Sequence, residues 1–256
     1  MSGGDPHFLA LTAPGAPFEI GERGGQRQFL HAPGDLNTMI ERARAYGNRT
    51  FIVEEADDGS ERRISFEQIF ALRDQLVPLL GIRRGDRVAI CMRNRTEWIV
   101  GFLATIKAGG IAALLNSRGS PAELVAMIHE VTPEIVLADS QRAALIREGG
   151  YSGRMLDLTQ PFEEAEIEQR ASTAPIVADM AKPDDACTIL FTSGTTGRVK
   201  GAVLSHRNLI TGLMSVQLAG MQVLHGTAAR LGIPVETMMQ HMPQQAAVLV
   251  YPLFHI

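Results

Sequence analysis

The chain has 256 residues, 45% of them hydrophobic, and a formal net charge of −4 with a pI near 6.0, which allows a sizeable core in one large domain or two modest ones. Lys and Arg are scattered or paired, as in Arg62-Arg63 and Arg83-Arg84, so the basic surplus of a nucleic-acid-binding surface is missing and no nucleic-acid partner is expected. The start lacks the basic and apolar blocks of a signal peptide, and the longest nearly apolar stretch, 98–106, is far short of the roughly 18 residues of a membrane span, so the expectation is a cytoplasmic protein without a transmembrane segment.

Residues 1–34 are rich in Gly and Pro and show neither helical nor strand period, so they read as an arm beside the main body, which runs over 35–256. Asp35 is a good N-cap for a helix carrying Leu36, Met39, Ile40 and Ala43, closed by Gly47. Thr50 to Glu55 and Arg62 to Ser65 flank Asp57-Asp58-Gly59, a hairpin signal. Ser65 with Gln68 forms a capping box, and the helix it opens places Ile69, Leu72, Leu76 and Leu80 on one face before Gly81.

From there strands and helices alternate: strand 87–92, helix 96–108, strand 111–115, helix 121–131, strand 135–138 and helix 141–148. Such alternation predicts an α/β fold, a doubly wound and largely parallel sheet flanked by helices. Ser120 with Glu123 is a second capping box, and Pro121 occupies the first helical position, where its missing N–H costs nothing. Residues 150–185 are weakly patterned and read as connectors. Cys91 and Cys187 lie in apolar runs with no second Cys or His at ligand spacing, so they read as buried thiols.

An apolar strand at 186–191 then runs into Thr192, Ser193, Gly194, Thr195, Thr196, Gly197, Arg198, Val199, Lys200 and Gly201, and a second strand follows at 202–204. This composition suits a polyphosphate: glycines let backbone N–H groups approach, four hydroxyls donate further bonds, and Lys200 supplies a point charge. The spacing is not that of a P-loop NTPase, because Gly194 and Gly197 stand three apart and Lys200 precedes Gly201; nor does a G-x-G-x-x-G string occur. A ligand-free Ser/Thr/Gly hairpin explains the glycines but not a lysine set before the final glycine.

The string resembles the signature of the adenylate-forming superfamily, an aromatic followed by T-S-G-[ST]-T-G-x-P-K-G, with Val199 in place of the usual proline. Further segments are similar to the family's: Ile64 to Ile69, Ile106-Lys107-Ala108-Gly109-Gly110 through Asn116, Leu204-Ser205-His206-Arg207-Asn208, and Pro252-Leu253-Phe254-His255. The likeness runs from about residue 36 to the last residue and is closest to acyl-CoA synthetases. It implies a nucleotide site at Thr192, Ser193, Gly194, Thr195, Thr196, Gly197 and Lys200, and a substrate pocket touching Phe254 and His255, although His255 could equally pack and bond to a backbone carbonyl. His206 reads as the start of the next helix. The methionines and histidines between Met221 and Gln245 read as packing, since His225 and His241 stand too far apart to share a metal.

The resemblance also implies an activity. A ligase uses ATP and Mg²⁺ to activate a carboxylic acid, fatty or aryl, as acyl-AMP and passes it to coenzyme A. The family's later motifs are not in the chain, which is therefore expected to be an incomplete AMP-binding domain, inactive alone, with no catalytic residue of its own. The alternative is a nucleotide- or partner-binding module without turnover. The run 246–256 reads as an apolar strand whose exposure would favour self-association.

Overall fold

The computed structural model describes residues 5–55, 58–159, 181–192 and 200–254. The chain forms two compact units, one from residues 1–34 with Arg207–Val250 and one from Asp35–His206 with Tyr251–Ile256.

The first unit begins with α1 (Pro6–Thr12), whose Asp5 cap accepts the His7 N–H and whose first position is Pro6. The hairpin of β1 (Ile20–Arg23) and β2 (Gln26–Phe29) follows. Gly24 and Gly25 turn it with φ of 59° and 74°, the left-handed pair that a two-residue hairpin requires. Residues 5–34, which show neither helical nor strand period in sequence, nevertheless carry a capped helix and a hairpin.

The second unit opens with α2 (Leu36–Glu41), capped by Asp35 and continued by a 3-10 turn to Tyr46 that ends at Gly47. β3 (Thr50–Glu55) and β4 (Glu61–Ser65) pair antiparallel. α3 (Phe66–Leu80) starts at the Ser65–Gln68 capping box and stops at Gly81, whose φ is 53°. Its buried face holds Ile69, Leu76 and Leu80, whereas Leu72 is exposed. Then come β5 (Arg87–Cys91), α4 (Thr96–Lys107), β6 (Ile111–Leu114), α5 (Pro121–Val131), β7 (Ile135–Ala138), α6 (Ser140–Glu148), β8 (Met155–Asp157), β9 (Ala186–Thr192) and β10 (Lys200–Ser205). The three-residue β8 falls within the expected connector; only pairing with β7 reveals it.

The strand order is β10-β9-β6-β5-β7-β8, parallel throughout except for β10 at the edge. Alternate residues of β5 feed two cores. Val88 and Ile90 join Leu76, Leu80 and Ala104 on one face, and Ala89 and Cys91 join Leu124, Ile128 and Ile146 on the other. Burial on both faces is why these strands read as continuous apolar runs. The order also sets a switch point: the chain leaves β5 for β6 on one side and returns to β7 on the other. In open α/β sheets ligands bind outside the carboxyl ends of the strands at such a point.

The remaining elements of the first unit are α7 (His206–Leu231), which starts on the last residue of the second unit, and α8 (Val235–His241). Leu11, Phe29, Met214, Leu218 and Ala228 are buried, and Gln222 bonds to Asp5 at 2.9 Å. Met239 and Met242 are 51% and 40% exposed, so they do not pack as expected. The expected strand over 246–256 is absent from its described residues, 246–254; Val248, Leu249 and Val250 are exposed and have no regular structure. An apolar run becomes a strand only where a neighbour completes its ladder. Among the described residues no helix is long and apolar enough to cross a membrane.

Candidate functional site

β9 is held inside the sheet. Thr188, Ile189 and Leu190 pair with Ala112, Ala113 and Leu114 of β6, and Cys187, Thr188 and Ile189 are buried. β10 turns back along it, with Lys200 opposite Thr192 and Gly201 opposite Phe191. Antiparallel partners stand about 4.5–5.5 Å apart at Cα, so the structure brings Thr192 and Lys200 together at the mouth of the hairpin, with Lys200 exposed. The loop between them, with Ser193, Gly194, Thr195, Thr196 and Gly197, lies outside the described residues. Gly201 has a packing reason: a Cβ there would stand 2.7 Å from Ile189 Cγ2.

The downstream end of the hairpin is fixed by His206. Its backbone N–H bonds to the Asp185 carbonyl at 3.1 Å, and its Nδ1 accepts the Leu36 N–H at 3.1 Å. An accepting Nδ1 requires a neutral ring. Burial pushes the His206 pKa down, against the pull of Asp35 and Asp185. It is a structural residue at the first turn of α7, as its sequence position suggested.

Phe254 sits by another strand end. Leu253 and Phe254 pack partly buried against the core cluster of Ile90, Trp98 and Val100, and Asn94 bonds to the backbone of Tyr251 and Leu253 at 2.7 and 2.8 Å. His255 lies outside the described residues. Because β9 and β5 flank β6, the carboxyl ends that lead to the phosphate loop and to Asn94 are two strand spacings, about 10 Å, apart.

One feature of this edge escaped sequence reasoning. A cavity of about 690 Å³ lies at the switch point, lined by Glu54, Arg62, Arg93, Arg95, Asp139 and Arg142 among others. Two of its carboxylates are committed to helix starts. Glu54 accepts the Thr96 N–H and hydroxyl at 3.0 and 2.9 Å, supplying the cap that Arg95 does not give α4. Asp139 accepts the Arg142 and Arg93 N–H groups at 2.8 and 3.1 Å. The Arg62 guanidinium pairs with Glu54 and Glu97, while the Arg93 side chain has no partner among the described residues, so the cavity keeps cationic character. The signal for it was the placement of Arg93-Asn94-Arg95 and Asp139 just past β5 and β7, which becomes meaningful only once the strand order is known. Among the described residues no group of three or more His, Cys, Asp or Glu could hold a metal ion.

Residues 39–256 match the AMP-binding enzyme family. The medium/long-chain-fatty-acid–CoA ligase FadD6 of Mycobacterium tuberculosis is 28% identical over 220 residues, covering 79% of this chain and 36% of that protein. Tyrocidine synthase 1 of Brevibacillus parabrevis is 27% identical over 172 residues, 66% of this chain and 15% of that protein. The chain thus spans about a third or less of these relatives' length. In fold it is similar to the N-terminal subdomain of Klebsiella oxytoca NpsA solved with 3-hydroxybenzoyl-AMSN, at a TM-score of 0.54 and 18% identity over 68% of this chain and 42% of that one. The chain belongs to the AMP-binding family of adenylate-forming enzymes, and what it matches is the family's amino-terminal part.

Proposed function

We propose that the chain carries the ATP-phosphate loop and part of the acid site of an acid–thiol ligase that makes acyl-AMP and passes the acyl group to coenzyme A. The observation that carries this reading is the register of the β9–β10 hairpin, which sets Thr192 and Lys200 at the two ends of the loop beside the carboxyl edge of a parallel sheet. The loop's backbone N–H groups and the hydroxyls of Thr192, Ser193, Thr195 and Thr196 hold the β- and γ-phosphates, and Lys200 offsets their charge. The acid's carboxylate oxygen attacks the α-phosphorus, and the bond to the β-phosphate oxygen breaks with its electron pair leaving on pyrophosphate. Charge grows on that leaving group, so donors already aimed at it favour the transition state over bound ATP. The thiolate of coenzyme A then attacks the acyl carbonyl carbon and AMP departs. Phe254 borders the acid on this reading. Mg²⁺, which the family resemblance implies, would offset phosphate charge, but no cluster suited to it occurs among the described residues and no step here is assigned to it.

The fatty-acid–CoA ligase relative favours coenzyme A as acceptor, whereas another relative is a nonribosomal peptide synthetase, ecdA of Aspergillus rugulosus. Incubating the complete gene product with ATP, an acid panel and either coenzyme A or a phosphopantetheinylated carrier protein separates the two by mass spectrometry. Acyl-CoA formation supports the proposal; acyl transfer to the carrier alone overturns its second half.

A further inference from the structure

The backbone at 251–253 is gripped by a single side chain. Asn94 Nδ2 donates to the Tyr251 carbonyl at 2.7 Å, and Asn94 Oδ1 accepts the Leu253 N–H at 2.8 Å. The carbonyl of one residue and the N–H of the next but one are the pair that an adjacent strand takes from an extended segment. Here a side-chain amide takes both, at the point where the chain re-enters the second unit after Val250. Just before that point Val248 and Val250 are 88% and 73% exposed; just after it Leu253 and Phe254 rest on the core that contains Trp98.

We infer that Asn94 is a positioning residue for the acid site, seating Phe254 at the carboxyl end of β5. The role rests on the ligase reading, because only that reading gives Phe254 an acid to border. The chemistry of the grip selects asparagine. Leu253 needs an acceptor, Tyr251 needs a donor, and the amide supplies both within one short side chain. Aspartate would keep the first bond and set a carboxylate oxygen against the Tyr251 carbonyl; alanine would lose both. Asn94 follows β5, whereas the phosphate loop follows β9 about 10 Å away, so loosening the grip displaces the acid side of the site and leaves the ATP side in place.

Two measurements test this on Asn94→Ala, with Asn94→Asp as the less disruptive variant. Hydrogen exchange on the 256-residue chain should show the Leu253 amide exchanging about tenfold faster in Asn94→Ala, the effect of two lost hydrogen bonds, and keeping protection in Asn94→Asp. Kinetics of the complete gene product should show KM for the acid raised about tenfold in Asn94→Ala, with KM for ATP unchanged. Unchanged exchange in Asn94→Ala overturns the grip. Faster exchange with both KM values raised equally assigns Asn94 to general stability and overturns the positioning role. If the unsubstituted protein adenylates no acid, the ligase reading fails and takes the acid-site role with it, while the exchange data still decide whether the grip exists.

Discussion

Glu41→Gln tests how the helical layer over the sheet is held. The Arg73 side chain is fully buried; its Nη1 lies 2.8 Å from Glu41 Oε1 without hydrogen-bond alignment, and Asp74 takes its Nε and Nη2 at 2.9 and 2.6 Å. Glu41 also binds Arg44 at 2.6 Å and Lys107 at 3.2 Å, joining α2, α3 and α4. Burial alone would push the Glu41 carboxyl up, but the bonds from Arg44 and Lys107 and the Arg73 charge bring it from 4.5 down to about 2. At 1.36 kcal/mol per unit the difference is about 3 kcal/mol. Because the Glu41 and Arg44 side chains are 28% and 45% exposed, solvent screening reduces it to about 2 kcal/mol. The folded-state value is depressed, so the stabilisation is complete above pH 4.5 and is lost as pH falls toward 2. Urea unfolding followed by fluorescence of Trp98, the chain's one tryptophan, should put Glu41→Gln about 2 kcal/mol below the unsubstituted protein at pH 7, a gap that narrows between pH 4.5 and 2.5. A gap that keeps its size at pH 2.5, or is under about 0.5 kcal/mol at pH 7, would show that the Glu41 charge does not hold these helices together.

Ser120→Ala removes the cap of α5, whose hydroxyl accepts the Glu123 N–H, and should cost about 1 kcal/mol in the same urea assay. Gly201→Val places a side chain where Ile189 Cγ2 would be 2.7 Å from the new Cβ; overpacking of about 1–3 kcal/mol should lower the thermal midpoint, and an unchanged midpoint would show that β10 yields freely. The exposed apolar run Val248-Leu249-Val250-Tyr251, from 55% to 88% exposed, should drive concentration-dependent association in sedimentation velocity, and Val248→Lys with Val250→Lys should abolish it. A monomer at every concentration would count against that surface.

The second unit was legible because its signals are local. Two capping boxes, glycine stops and apolar runs of strand length fix α3, α5, β5 and β7 from a few neighbouring residues. The hairpin at 20–29 was also signalled, by Gly24-Gly25, but few apolar residues surround it and the Gly- and Pro-rich composition masked the turn. β8 has three residues and no period, and exists because β7 offers it a ladder. Conversely, 246–250 has a strand's composition without a strand's partner. Phe254 and Lys200 are proposed from motifs, whereas Asn94 depends on partners 157 and 159 residues away, and the arginine-lined cavity depends on strand order. Local physics specifies elements; the site is assembled by contacts that no window of sequence contains.

On the proposed function, the hairpin at Thr192 and Lys200 serves acid adenylation. Acid-dependent exchange of labelled pyrophosphate into ATP by the complete gene product measures that step. A charge-assisted phosphate contact of roughly 1.5–3 kcal/mol predicts that Lys200→Ala slows exchange by about one to two orders of magnitude. An exchange rate untouched by that substitution, or no exchange with any acid tried, would contradict the claim.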